Sequence, residues 1–185
     1  MRLDAVLKVG GSLSRGDGLQ PLCSEICRVG KHFSLLVVPG GGEFADQVRR
    51  AHTRFRLSDT ASHCMALSAM DQYGYLLHHL IPESFLAADL ASGRQAGGSG
   101  QVGVFLPSVQ VLEQSGLPHS WQVTSDTIAA WIAHFAHCRR LVLLKDVDGL
   151  FRDEPADSMP EGLIPELTVD QLVGHRGGVD EYLSR

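Results

Sequence analysis

Apolar positions along the chain switch between two periods, and the switches outline the fold. Asp4–Val9 is short, apolar and β-prone, and it runs into Gly10-Gly11-Ser12. Leu19–Val29 carries Leu19, Leu22, Ile26 and Val29 at helical spacing, and Gly30 suits the end of that helix. Phe33–Val38 is a second buried-type strand, closed by Pro39-Gly40-Gly41-Gly42. Glu43–Phe55 predicts a helix with Phe44, Val48, Ala51 and Phe55 on its inner face. Asp59 is the expected N-cap of a longer helix reaching about His79, with Ala61, Met65, Leu67 or Ala69, and Leu76 turned inward.

The middle of the chain is less regular. Ser84–Asp89 and Val102–Leu106 are candidate strands, and Ala91–Gly100 is rich in Gly, Ser and Ala, as a mobile loop would be. Thr124–Cys138 is an amphipathic helix through Ile128, Trp131 or Ile132, and Phe135. Arg140–Lys145 is a strong strand followed by a turn at Asp146–Gly149. Beyond Phe151 the pattern is loop-like, with a short helix near Val169–Gly174. Strands alternating with helices imply βαβ crossovers and a parallel sheet covered on both faces. With no linker and no internal repeat, residues 1–185 are expected to form one α/β domain.

Composition narrows the classes. The 185 residues are 44% hydrophobic and 20% charged, enough for a core without disulfide or metal staples. No apolar run approaches the ~20 residues that cross a bilayer. Met1–Val9 lacks a basic start joined to a long apolar stretch, so a cytoplasmic protein is expected. A net charge of -5 argues against nucleic acid or an anionic membrane as partner. Cys23, Cys27, Cys64 and Cys138 show neither C-x-x-C nor His at zinc-ligand spacing, and are read as buried thiols in a reducing compartment. Of 16 basic residues only Lys8, Lys31 and Lys145 are lysine.

The chemistry gathers at strand ends, where open parallel sheets bind ligands. Gly10-Gly11-Ser12 lets backbone N–H groups converge without side chains in the way, and Lys8 can reach the same anion. It is not a Walker A loop, since no Gly-Lys-Ser/Thr closes it. Taken alone it suits a plain tight turn as well. Gly40, Gly42 and Ala45 fit the dinucleotide pattern G-x-G-x-x-A, but residues 43–79 read as helix where that fold needs a second strand. Gly40-Gly41-Gly42 is therefore read as a second anion-binding turn facing the first. Lys145-Asp146-Val147-Asp148-Gly149 places a cation and two acids after a strand. Thr124-Ser125-Asp126 opens a helix, where simple capping would also favour the carboxylate.

The order of these motifs resembles the amino acid kinase superfamily, which includes acetylglutamate, aspartate, uridylate and isopentenyl phosphate kinases. The resemblance rests on Lys8-x-Gly10-Gly11-Ser12, Pro39-Gly40-Gly41-Gly42, Ser125-Asp126-x-x-Ala129-Ala130 and Asp146-Val147-Asp148-Gly149-Leu150-Phe151. Within it, Gly40–Leu77 and His119–Asp126 are most similar to the kinases of methanofuran biosynthesis, found in methanogens and methylotrophs, which convert an aminomethyl-furanmethanol phosphate to the diphosphate. The resemblance implies a three-layer αβα sandwich with a mainly parallel sheet. It also implies ATP and Mg2+, a small-molecule phosphate or carboxylate acceptor, and a homo-oligomer. Lys8, Asp126 and Lys145 would be catalytic. Gly10, Gly11, Ser12, Lys145, Asp146, Asp148, Gly149 and Phe151 would hold the nucleotide. Gly40, Gly41, Gly42, Arg49, Thr124 and Ser125 would hold the acceptor, and no protein metal site is implied.

Arg49 is one of four arginines after the second glycine turn, with Arg50, Arg54 and Arg56; at least two should be a solvated face. His63 and Asp71 are equally suited to the acceptor or to structural roles. Trp121 suits the pocket wall or a helix staple. The sequence departs from the family after the nucleotide loop. Arg176-Gly177-Gly178-Val179 lacks the following Lys of many members, so Lys145 or an arginine is expected to substitute. Relatives usually continue with a further helix and closing strand, so the expectation is either a compact or shortened member or a tail supplied by an oligomeric neighbour. The alternatives are a kinase of an amino-acid carboxylate and a non-catalytic relative binding nucleotide or oxyanions.

Overall fold

In the computed structural model, residues 2–96, 100–150 and 163–172 are described. Five parallel strands form the sheet: β1 Ala5–Val9, β2 Leu35–Pro39, β3 Phe85–Ala87, β4 Gly103–Phe105 and β5 Leu141–Leu144. Their spatial order is β3-β4-β2-β1-β5, so β1 and β2 are central and the chain crosses over them to reach β5. In register, Lys8 pairs with Val38 on one side and Leu143 on the other. The helices are α1 Leu19–Gly30, α2 Gly42–Phe55, α3 Asp59–Leu80, α4 Leu90–Gly93, α5 Ser108–Gln114, α6 Ser125–Phe135 and α7 Val169–Leu172.

Strand alternation sorts the core onto two faces. Ala5, Val9, Leu35 and Val37 pack with Leu19, Cys23 and Ile26 of α1 and with Tyr73 and Leu77 of α3. Val6, Leu36 and Val38 point the other way, into Ile128, Ala129 and Ile132 of α6. These are the three layers expected from the sequence. α3 contributes Leu67 and Met70 to the second cluster as well, so it joins the two cores. It does so at Gly74, where an added Cβ would lie 2.9 Å from Leu106 Cδ2 and 3.4 Å from Pro39 Cγ. α3 therefore crosses just past the ends of β2 and β4, and its amino-terminal half projects beyond the sheet.

Several expectations need correction. Ser58, not Asp59, caps α3: its hydroxyl accepts from the Ala61 N–H at 3.2 Å, and Asp59 is the first helical residue. Met65 is 40% exposed, because the buried face of that half of α3 begins with the polar pair Ser62 and His63. Phe55 is 65% exposed at the last residue of α2, under the Arg54 guanidinium. Phe135 rests on Trp131 at the surface while Ile132, Ala133 and Ala136 fill the core. Ala91–Gly100 is not simply a loop. Asp89 and Ser92 form a reciprocal capping box that starts α4, and a 3-10 turn follows at Arg94–Ala96.

α5 has no counterpart in the sequence reading, since its cap lies on another helix. The Asp71 carboxylate accepts the Ser108 N–H at 3.1 Å and the Ser108 hydroxyl. Burial raises the Asp71 pKa above the ordinary carboxylate value, only partly offset by those bonds. Among the described residues no helix is long and apolar enough to cross a membrane.

Candidate functional site

Period two on β1 decides where Lys8 points. Val6 faces α6, so Lys8, two residues on, faces the same helix at the carboxyl end of the strand. The same alternation on β5 takes Leu141, which packs against the α6 side, to Lys145 just past the strand. α6 starts opposite both, with the Thr124 hydroxyl accepting from the Asp126 N–H at 3.2 Å. Asp126 in the first turn thus meets two ammonium groups. Lys8 Nζ lies 2.7 Å from Oδ1 and Lys145 Nζ 2.5 Å from Oδ2.

Lys8 and Asp126 are 6% and 3% exposed, a depth at which a charge needs a partner. Burial pushes the Asp126 carboxyl pKa up, but the charges and hydrogen bonds of Lys8 and Lys145 outweigh it and hold the carboxyl below its ordinary value. Two cations around one anion leave the Lys8–Asp126–Lys145 group with one net positive charge. A carboxyl held low stabilises the fold above the unfolded value of about 3.9, and that contribution is lost as pH falls through the lower folded value. Urea unfolding should therefore show a wild-type advantage over Asp126→Asn that is level from pH 7 to about 5 and shrinks below about 4. A gap independent of pH down to 3 would contradict the ionised assignment.

The two glycine turns are built against each other. Gly10 N–H donates to Leu144 O and Gly40 N–H to Val9 O, both at 2.8 Å, so each turn leaves the sheet in register. A Cβ on Gly11 would lie 2.2 Å from Gly42 N, and one on Gly40 would lie 2.7 Å from Gly11 N. Gly42 takes φ +54, the left-handed region that favours glycine, over the Tyr73 ring. Tyr73 is fully buried and its hydroxyl donates to Gly10 O at 3.4 Å. The 3-10 turn Gly11–Arg15 and α2 both begin at a glycine N-cap without a side-chain cap, as an anion-binding helix start allows.

A cavity of about 200 Å³ opens beside this junction. Gly11, Ser12, Gly41 and Gly42 line one end, and Thr124 and Ser125 line the wall toward Asp126. Arg49 hydrogen-bonds Asp46 at 2.7 Å and lies 5.3 Å from the Trp121 ring centroid. Arg15 donates to the other Asp46 oxygen at 2.9 Å, so one carboxylate positions two guanidinium groups at the rim. His63, Leu67 and Met70 of α3 form the opposite wall.

Lys8, Asp126 and Lys145 come together, as do the two glycine turns. Ser12, Arg49, Thr124, Ser125, Trp121 and His63 line the same cavity, whereas Gly10 and Gly40 anchor the turns to the sheet. Arg50, Arg54 and Arg56 are exposed and do not line it, and Asp71 is committed to α5. Asp146 and Asp148 are exposed in the turn after β5. Phe151 and Arg176–Val179 lie outside the described residues. Sequence reasoning missed Arg15, Asp46 and Asp59, all of which line the cavity. For Asp46 a signal existed: it sits three residues before Arg49 on α2, the spacing of an ion pair. Among the described residues no three His, Cys, Asp or Glu side chains gather as a metal site.

Comparison with known proteins gives the family and the fold. The chain is 27% identical over 158 residues to [5-(aminomethyl)furan-3-yl]methyl phosphate kinase of Methanocaldococcus jannaschii, covering 83% of this chain and 71% of that protein. It is 24% identical over 160 residues to uridylate kinase of Thermococcus kodakarensis, covering 85% of this chain and 66% of that one. It is 25% identical over 182 residues to molybdenum storage protein subunit beta of Azotobacter vinelandii, covering 90% and 66%. The uridylate kinase structure from Archaeoglobus fulgidus superposes with a TM-score of 0.75 at 20% identity, over 98% of this chain and 84% of that one. The UMP kinase structure from Bacillus anthracis gives 0.74 at 15% identity, over 100% and 82%. The model of the amino acid kinase family matches residues 5–183, and the chain belongs to that family.

Proposed function

We propose that this protein transfers the γ-phosphate of ATP to an acidic oxygen of a small phosphate monoester, such as an aminomethyl-furanmethanol phosphate. The observation that carries the reading is the buried Lys8–Asp126–Lys145 group beside two glycine turns in backbone contact. When bound, ATP supplies the phosphoryl group, with Mg2+ held mainly by its phosphates and water. The residues present suit phosphates: two uncapped N-termini, a backbone cradle that a Cβ would fill, and one net positive charge on the Lys8–Asp126–Lys145 group.

The Gly10–Ser12 turn serves the β- and γ-phosphates, with Lys145, Asp146, Asp148 and Gly149 on the nucleotide side. The Gly40–Gly42 turn, Arg49, Thr124 and Ser125 serve the acceptor. Lys8 lies where the transferring oxygens would gather and neutralises charge that spreads over them. Asp126 positions Lys8 and Lys145 rather than acting as a base, since a phosphate acceptor is already ionised. In the step the bond from the γ-phosphorus to the β,γ-bridging oxygen breaks, one forms to the acceptor oxygen, and ADP leaves. No covalent enzyme intermediate is needed.

The test is incubation with Mg-ATP and three acceptors: [5-(aminomethyl)furan-3-yl]methyl phosphate, UMP and N-acetylglutamate. The expected result is a diphosphate doublet pair in the phosphorus NMR spectrum with the furan phosphate. An acyl phosphate from N-acetylglutamate alone would select the amino-acid reading. The similarity to a molybdenum storage subunit favours one second reading, a non-catalytic oxyanion binder. ATP binding with no ADP formed beside any acceptor would support it.

A further inference from the structure

α3 measures the acceptor site. Tyr73 packs under Gly42, at the transfer end, and Met70, Leu67, Ala66, His63 and Asp59 line the cavity at successive helical spacings toward the free end of the helix. Ten residues from Tyr73 to His63 span about 15 Å of helix. His63 and Asp59, four apart, share one helix face at the end of the cavity remote from transfer.

His63 is only 7% exposed, and its ring stacks on His119 with centroids 4.7 Å apart and planes 15° from parallel. His119 is tied back to α3, its Nδ1 lying 3.2 Å from Thr60 Oγ1. Among the described residues neither ring nitrogen of His63 has a hydrogen-bond partner, and Asp59 is in no ion pair. The His63 ring is held in one orientation by its stacking partner, its nitrogens bond no described protein group, and Asp59 is exposed at the mouth of the same cavity, so both are available to a ligand there. The other carboxylate of the cavity, Asp46, is already occupied by Arg15 and Arg49.

We propose that His63 and Asp59 bind a protonated amine at the end of the acceptor opposite the phosphate, so that the site selects compact amino-phosphates. The inference rests on the kinase reading for the identity of the opposite end. An ammonium donates to the Asp59 carboxylate and to a lone pair of a neutral imidazole, whereas an imidazolium would repel it. Burial, with the neighbouring His119, holds the His63 pKa below the ordinary imidazole value, which favours the neutral form. The glycine turns at the other end suit an anion, while Arg49, partway along the cavity beside Trp121, has its charge taken up by Asp46. The cavity's size of about 200 Å³ fits one small ring carrying both groups.

Calorimetry separates this inference from the kinase reading, because it needs no turnover. The probes are [5-(aminomethyl)furan-3-yl]methyl phosphate and (5-methylfuran-3-yl)methyl phosphate, which lacks the amine. Wild-type protein should bind the amine about tenfold or more tightly than the analogue. Asp59→Asn should reduce that ratio toward one, and His63→Ala should reduce it more than His119→Ala, which removes only the stacking partner. In turnover the loss should appear in the acceptor KM and not in kcat. Thermal melts of each variant identify any loss caused by unfolding. His63→Gln, which keeps a hydrogen-bond acceptor, should recover part of the ratio if His63→Ala unfolds. Equal wild-type affinity for the two probes, or an unchanged ratio in folded Asp59→Asn, would overturn the inference. Absent turnover with a preserved binding ratio would overturn only the kinase reading.

Discussion

Lys8→Ala is expected to lower kcat roughly a hundred- to a thousand-fold, the ~3–4 kcal/mol that one preorganised donor to a developing anion contributes. Lys8 is placed by strand alternation at the end of a central strand, almost fully buried and 2.7 Å from Asp126. Its ammonium therefore does not need to reorganise when charge gathers on the transferring oxygens. The fold should survive, because Lys145 remains on the other carboxylate oxygen and keeps Asp126 from becoming an uncompensated buried charge. With one cation gone, burial should push the Asp126 carboxyl up, and the acid limb of the stability profile should move to higher pH. Lys8→Arg should not restore turnover, since the larger planar guanidinium must fit a buried position beside Gly10. Coupled ADP release and far-UV circular dichroism test this together. A folded Lys8→Ala protein retaining a tenth of wild-type kcat would remove Lys8 from the reaction.

Gly11→Ala should be the most damaging single methyl in the described chain. Its Cβ would fall 2.2 Å from Gly42 N and 2.4 Å from Gly42 Cα, both backbone atoms with no rotamer to yield. Overpacking of this kind costs typically ~1–3 kcal/mol, and the neighbour here is rigid, so the upper end is expected. At this chain length that is a melting-temperature drop of roughly 5–10 °C. Prising the turns apart should also reduce turnover at saturating ATP. Gly18→Ala is the matched control: nothing lies within 4 Å of its added Cβ and its backbone is right-handed helical, so its melting temperature should not fall. Equal melting temperatures for the two variants would mean that the turns are not in contact.

Much of the fold was legible because strands and turns announce themselves locally. The buried runs ending in glycine at residues 10 and 40 marked β1 and β2, and the position of Lys8 at a strand end put it within reach of the glycine turn. The features that were not legible depend on groups far apart in the chain. α5 is started by Asp71, thirty-seven residues away, so no local capping pattern marks it. The inner face of α3 begins as Ser62 and His63, polar residues that a hydrophobic stripe overlooks. Arg15 and Arg49 become a pair only through Asp46, which joins the 3-10 turn to α2. Conversely, Phe55 and Phe135 followed the apolar period but end on the surface, since period alone does not show where a helix runs out of neighbours.

The backbone contact between the glycine turns divides the molecule into parts that change under different rules. The separation of the two glycine turns is fixed by main-chain atoms, so it is insensitive to substitution of side chains around it. The far wall is made of side chains on α3 and on the segment before α6, which can be exchanged without touching that separation. Acceptor preference should therefore be transferable between relatives by swapping Asp59–Met70 together with His119–Val123. The phosphoryl-transfer rate at saturation should stay with the recipient, as a chassis keeps its gauge when its fittings are replaced.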